Sequence, residues 1–419
     1  NGREMTADDV VFSFKRLKQM LSRSKPFTAH FTDIQATGKY TVQFKTDIPF
    51  PALVTDLFAL SRGSVVIAPE AAVGGKYEDA AKTHIGTGPF MFNKYVPAVR
   101  IDYLRNPDYF NSPLPYVDGV TYYLMPEMST RMAALRAGKV NMVKDLNGAT
   151  ILDVKKISPN FTVIVCEGLS PEHIYMRTDL PPFNDVRIRR AIAMAINRQG
   201  MIDAIFQGQG RMIQVLPSQL PAAMSLNDFP PEIRKYLEYR PDEARALLRE
   251  AAPSGLKVQL RGTPRYPSPY PELIQAVAAD LQGVGFQVEI DMQEYGAYTG
   301  STLQGEYPQI ALTHGLTTAE ADAKGLPGFH SKSGWGNNRS HVTDPALDKM
   351  IDQWLVTLDA NKNKAMAWDI QKYVVQQAYR VVLPSPSESV VARPELKGVS
   401  WRATERIVGQ WLEAMWLDQ

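Results

Sequence analysis

Between Gly86 and Asn141 a succession of short motifs leaves this chain little freedom in how it folds. Gly86-Thr87-Gly88-Pro89-Phe90 is a glycine turn that leads into an apolar, strand-like run. Arg100-Ile101-Asp102-Tyr103-Leu104 is followed by Arg105-Asn106-Pro107-Asp108-Tyr109-Phe110, and then by the proline-rich link Pro113-Leu114-Pro115-Tyr116-Val117-Asp118. A strand from Val120 to Met125 then meets a helix carrying Ser129-Thr130-Arg131, Leu135 and Ala137-Gly138-Lys139. The chain has 419 residues, more than one ordinary core accommodates, so two or more domains are expected.

Other segments are signalled as clearly. Thr6 with Asp9 three residues on reads as a capping box that opens a helix, with Val10, Phe14, Leu17 and Leu21 on one face. Tyr40 to Phe44 alternates as a strand after the turn Gly38-Lys39. Pro181-Pro182-Phe183 reads as extended. Asp185 then caps a helix that buries Ile188, Ala191, Ile192, Ala195 and Ile196. From about Val215 helices and strands alternate. Pro241-Asp242-Glu243 opens a helix, Val258 to Leu260 is a strand, and Glu272 to Leu281 is a helix. Phe286 to Ile290 and Pro308 to Thr313 are strands, and Asp344-Pro345 opens a helix with Leu347, Met350, Ile351 and Trp354 inward. This succession predicts a second α/β domain.

Composition and motifs exclude several functions. The net charge of +2, without a long basic run, offers no nucleic-acid footprint. No window approaches the ~20 apolar residues of a membrane helix. The single cysteine, Cys166, forms no internal disulfide, and its neighbours Val163, Ile164 and Val165 read as a buried strand. There is no His-Glu-x-x-His helix, no paired-cysteine zinc spacing and no phosphate loop, and Gly168-Leu169-Ser170-Pro171 lacks the last glycine of a nucleophile elbow. No cofactor is expected, and the chain does not read as an enzyme.

The order and spacing of the Gly86–Asn141 motifs resemble the extracytoplasmic solute-binding proteins of peptide, nickel and opine ABC importers, family 5. The Thr6-Ala7-x-Asp9-Val10 helix entry and the Pro181-Pro182-Phe183-x-Asp185-x-Arg187-x-Arg189-x-Ala191 order extend the resemblance. It implies an α/β, two-lobed, periplasmic-binding-protein-like fold (class II, cluster C) with a small accessory domain. Residues 1–85 would form that accessory domain, 86–214 with 385–419 the first lobe, and 215–384 the second. Asn1 is not a natural start, so the family pattern implies a missing front segment. The implied function is capture of a peptide-like, opine-like or other polar or anionic solute between the lobes. Delivery would be to the transmembrane subunits of an ABC permease, by a monomer in the periplasm, or anchored at the cell surface of a Gram-positive host.

The resemblance also points to ligand contacts. Arg265, in Thr263-Pro264-Arg265-Tyr266, falls within about a residue of the arginine with which dipeptide-binding members hold a ligand carboxylate, and a planar guanidinium suits that role. His314 and Gly315 follow the strand ending at Thr313, and Thr318 stands where peptide-binding members have an aspartate for the ligand amine. Tyr175 and Arg177 lie before the Pro-Pro-Phe segment, where Arg177 replaces a common asparagine and would add a second positive charge. Trp335 is the candidate for stacking, and Glu388, in Leu383-Pro384-Ser385-Pro386-Ser387-Glu388, for accepting hydrogen bonds. Three alternatives stay open: a nickel-chelate binder using His314 or His330, a hydrolase with an unmarked carboxylate site, and a chaperone-like holder of extended chains.

Overall fold

The computed structural model describes residues 2–20, 28, 30–51, 53, 66–71, 85–166, 168, 171–216, 218, 220–266, 269–314, 325–333, 337–400 and 412–418. The chain divides into two compact units. Unit 1 is Asn1–Ile48, Thr55–Cys166 and Glu388–Gln419; unit 2 is Pro49–Val54 and Glu167–Ser387.

Unit 1 opens with α1 (Ala7–Met20). The Asp9 carboxylate accepts the backbone N–H of Thr6 at 2.7 Å, the reach-back half of a capping box. Arg3 forks onto the same carboxylate at 2.5 and 3.0 Å, so this nearly buried acid is paired. Phe14 and Leu17 face inward, and Leu21 lies outside the described residues. Phe14 meets Phe44 edge-on, with ring centroids 5.2 Å apart, across the hairpin β1 (Phe31–Gly38) and β2 (Thr41–Thr46). Tyr40 sits in the hairpin turn, 65% exposed, one residue before the strand begins.

The Gly86–Asn141 motifs become an antiparallel sheet of β3 (Phe90–Val96), β4 (Arg100–Arg105) and β5 (Gly119–Tyr123), followed by α2 (Met128–Arg136). Gly138, at φ +71°, ends α2. The N–H of Gly138 reaches Leu135 O and that of Lys139 reaches Ala134 O. This is a Schellman closure, which places the glycine at the left-handed position after the helix. Then come β6 (Met142–Lys144), α3 (Gly148–Ile157) and β7 (Thr162–Cys166). The returning strand Glu388–Ala392 pairs antiparallel with both β6 and β7. Leu135, Ile151, Val154 and Val391 form the core beneath it. At the C-terminus Trp416 packs edge-on to Tyr116, whereas Trp401 and Trp411 lie outside the described residues.

Unit 2 begins with β8 (Glu172–Met176), α4 (Val186–Ala195) and α5 (Arg198–Ala204). It continues through α6 (Pro241–Ala251), β9 (Leu256–Gly262), α7 (Tyr270–Gly283), β10 (Phe286–Met292) and α8 (Tyr295–Gly300). Last come β11 (Ile310–His314), α9 (Pro345–Leu355), α10 (Ala360–Gln376) and β12 (Arg380–Val382). The sheet order is β10-β9-β11-β8-β12. β9, β10 and β11 run parallel, while β8 is antiparallel to both its neighbours. One sheet face carries Leu260, Ile310, Leu312, Ile174, Met176 and Val381, and α4, α6 and α7 cover it with residues such as Ile188, Ile192, Leu248, Leu273 and Val277. A second core joins α9 and α10 through Leu347, Ile351, Ile370 and Val374.

Three expectations differ from what is found. The domain change expected at Val215 falls inside unit 2, because β8 is hydrogen-bonded on both sides within the unit 2 sheet and α4 packs on its apolar face. Residues 1–48 are grouped with 55–166 in unit 1, where a separate domain was expected over 1–85. Pro181–Phe183 is turn rather than extended chain, closed by backbone bonds from Asn184 N to Leu180 O and from Asp185 N to Pro182 O. The Asp185 cap is present and accepts from Arg187 N.

Asp344 is the most heavily used cap. It accepts the N–H groups of Ala346 and Leu347 and the hydroxyls of Tyr373 and Tyr379, both at 2.7 Å. Burial works against its charge, but the two tyrosines and the two backbone donors outweigh burial and hold its pKa below the usual value. Asp344→Ala should therefore lose about 2–4 kcal/mol in urea unfolding at pH 7. A depressed folded pKa gives stability that is full above the unfolded value of about 4 and fades as the pH falls further. The gap between the two proteins should thus stay constant from pH 7 to about 5 and narrow below about 4. A gap independent of pH down to about 2 would contradict this account.

Candidate ligand-binding site

The strand order of unit 2 creates a topological switch. From β9 the chain passes through α7 to β10 on one side, then returns through α8 to β11 on the other side of β9. The carboxyl ends of β9 and β11 therefore lie at the switch, where open α/β sheets form their ligand crevice. The loop after β9 is Thr263–Tyr266, and His314 ends β11, so both sequence-predicted loops start at this point.

Aromatic side chains wall the switch point. Tyr266 meets Tyr270, Tyr295 and Tyr298 edge-on, at centroid distances of 5.1, 5.8 and 6.0 Å. The hydroxyls of Tyr270 and Tyr298 both donate to Leu312 O, at 2.7 and 2.8 Å, tying the first turn of α7 and α8 to β11. Gly262 makes room for this arrangement: a Cβ there would lie 2.8 Å from the Tyr270 hydroxyl and 2.4 Å from Ile274 Cδ1. Burial, then Tyr295 and the charge of Glu172, push the Tyr266 phenol up to about 12, so it stays a neutral donor at physiological pH. Arg265 lies beside this wall with an exposed side chain, and no described residue pairs with its guanidinium.

The second sheet face is polar. Strand register sets Asp291, Arg261, Ala311, Tyr175 and Arg380 in one row, with Thr313 and His173 in the next. Arg261 pairs with Asp291 at 2.6 Å. The Tyr175 hydroxyl lies 3.0 Å from His173 Nδ1, and Arg339 sits over the Tyr175 ring at 5.6 Å while donating to Thr313 Oγ1 and Leu303 O.

Arg177 continues this face beyond β8. Its Nε and Nη2 fork onto Asp179 at 2.8 and 2.6 Å, and Nη1 donates to Tyr307 O at 3.1 Å. Burial opposes the Asp179 charge, but Arg177, helped by His341, holds its pKa below the usual range. Burial lowers the pKa of His341, which contacts Gly305 O at 2.7 Å. Arg177, Arg261, Glu306, Tyr307 and His341 line an open groove of about 550 Å³.

The strand pairing sets Tyr175 in the middle of β8 opposite Ala311, and His314 at the carboxyl end of β11 near the Arg265 loop, whereas Arg177 follows β8 at the amino end of β11, with its N–H on Gln309 O. The second positive charge expected from Arg177 is matched by Asp179. Gly315, Thr318 and Trp335 lie outside the described residues. Glu388 belongs to unit 1, opposite Cys166, whose thiol is pushed up by burial and then by Glu388. Arg339, Tyr298 and His341 were not singled out from the sequence. The helical spacings Tyr266–Tyr270 and Tyr295–Tyr298 carry a signal for the aromatic wall; Arg339 and His341 carry no local one. Among the described residues no group of three or more His, Cys, Asp or Glu side chains is placed to hold a metal ion, and no helix is long and apolar enough to cross a membrane.

An open α/β sheet with an aromatic, cation-bearing switch point defines a protein built to hold a solute, and comparison with known proteins gives the class: bacterial extracellular solute-binding proteins. The model of their family 5 (the "Middle" region) matches residues 1–337, and the chain belongs to that family. Di/tripeptide-binding protein 1 of Pseudomonas aeruginosa (strain UCBPP-PA14) is 28% identical over 425 residues, covering 95% of this chain and 76% of its own. The periplasmic binding protein DppA of Helicobacter pylori, solved with the peptide STSA, matches with a TM-score of 0.81 at 24% identity, covering 100% of this chain and 82% of its own. AgaA of A. tumefaciens R10, solved with agropinic acid, matches with a TM-score of 0.80 at 20% identity, covering 99% and 84%. The fold is accordingly the α/β fold of periplasmic binding proteins. The protein is a substrate-binding subunit of an ABC importer, from a family of binding proteins rather than enzymes.

The Arg177–Asp179 pair is the most directly testable contact of the polar face. A double-mutant cycle with Arg177→Gln and Asp179→Asn should give a coupling of about 1–2 kcal/mol in unfolding free energy. A coupling below about 0.3 kcal/mol would place the pair among solvent-screened surface contacts.

Proposed function

We propose that this chain captures a small, carboxylate-bearing solute of peptide-like or opine-like type in the periplasm, as a monomer, and delivers it to the transmembrane subunits of its importer. The observation that carries this reading is Arg265, a guanidinium without a counter-ion among the described residues, standing beside Tyr266 at the carboxyl end of β9. A planar fork of donors matches two carboxylate oxygens, and a neighbouring aromatic edge favours the apolar part of the same molecule. Tyr175, Arg177 and His314 are proposed as further ligand contacts, with Arg177 acting as a donor already oriented by Asp179. Gly315, Thr318 and Trp335 are the further candidates of unit 2, and Glu388 is a separate candidate in unit 1. The ligands named for the two solved relatives, a peptide and agropinic acid, are of the chemical kind this reading requires.

Isothermal titration with a panel of di- and tripeptides, their C-terminal amides, and agropinic acid tests the proposal. A free carboxylate should bind at least about tenfold more tightly than its amide, as expected for one charge-assisted hydrogen bond. Arg265→Ala should remove that preference while leaving the unfolding midpoint unchanged. Equal affinity for acid and amide, or release of a hydrolysed product, would overturn it.

A further inference from the structure

Away from the switch point, at the β12 edge of the sheet, a small cavity of about 20 Å³ has two arginines among its lining residues. A cavity of roughly 10–15 Å³ on this scale holds one water molecule, so there is room for a single small particle. Arg198 and Arg380 line the cavity, with Gln214, Tyr236 and Phe329 among the other walls.

Neither arginine has a carboxylate within ion-pair distance among the described residues, unlike Arg177, Arg187, Arg240 and Arg261. Arg198 is 5% exposed, and its Nε and Nη1 donate only to backbone carbonyls, those of Val382, Ala193 and Leu237. The acid that acts on it, Asp280, is engaged with Asn197 N. Arg380 makes one long bond to a carbonyl, from Nη2 to Val215 O at 3.5 Å, its guanidinium lies over the Phe329 ring, and the Tyr175 side chain is its other polar neighbour. Its Nε is buried with no hydrogen-bond partner. The charge of Arg339 adds to the positive field at Arg380. Burial lowers the pKa of both guanidinium groups, Arg198 to about 10.

We propose that this cavity is a binding site for a monatomic anion of the size of chloride, held between Arg198 and Arg380. A water molecule satisfies the orphan Nε–H but leaves the buried charge of Arg198 and the half-buried charge of Arg380 without compensation. A carboxylate or phosphate is too large for the space. A halide accepts from several N–H donors in any direction and supplies the missing charge. The site stands apart from Arg265 and the tyrosine wall, so it acts on the stability of unit 2 rather than on capture of the transported solute.

Thermal unfolding of the full chain in sodium gluconate, with sodium chloride or bromide replacing gluconate at constant ionic strength, tests the site. The midpoint should rise by roughly 2–5 °C once the halide exceeds its dissociation constant about a hundredfold. Arg380→Leu should fold and lose this dependence. Crystals grown in bromide should show an anomalous peak between Arg198 and Arg380. An equal halide response in Arg380→Leu, or an ordered water with no bromide peak, would overturn the proposal. The diffraction arm decides the matter even where the variant does not fold.

Discussion

Unit 2 depends on the double pairing of one short strand. Glu172–Met176 is hydrogen-bonded to Ile310–His314 on one side and to Arg380–Val382 on the other, and all five of its residues are buried. A buried strand has to pair its backbone groups, and here the partners lie more than a hundred residues downstream. The pairing fixes the pleat, and the pleat sorts the side chains. Ile174 and Met176 enter the apolar core, while His173 and Tyr175 join the polar face that Arg177 continues. A slip of one residue would exchange the two sets, so the core and the candidate site are specified by the same register.

The arginines of unit 2 divide into those with a partner and those without a counter-charge. Arg261 with Asp291 and Arg177 with Asp179 are closed pairs that orient the face without adding net charge. Arg189 is buried but bonded to carbonyls and packed over Tyr379. Arg265 remains unmatched at the exposed end of β9 and Arg380 at the interior edge of β12. An unmatched charge in water is cheap and suits recognition of an incoming carboxylate. An unmatched charge in the interior is costly and calls for a resident counter-ion.

Much of this was legible in the sequence. The caps Asp185 and Asp344, the period of Ile188–Ile196 and the alternation of Phe286–Ile290 are local signals, and the elements formed where those signals lie. The strands that lead to the candidate site, β9 and β11, were legible from the apolar runs Val258–Leu260 and Pro308–Thr313. What was not legible depends on long-range pairing. Nothing near Val215 tells that β8 and α4 belong with later strands, since that follows from hydrogen bonds to residues 310–314 and 380–382. Arg177 reads as a free cation until folding sets it against Asp179, two positions along. Arg339 reads as an ordinary loop residue until the chain brings it over Tyr175.

The central claim is that the carboxyl ends of β9 and β11 receive a solute. Hydrogen–deuterium exchange of the protein as purified, compared with the same protein unfolded, dialysed and refolded without small molecules, addresses it most directly. The account predicts faster exchange of the Thr263–Tyr266 and Ile310–His314 segments in the stripped protein, reversed by a saturating mixture of di- and tripeptides. Unchanged exchange in both segments, with protection confined to unit 1, would contradict it.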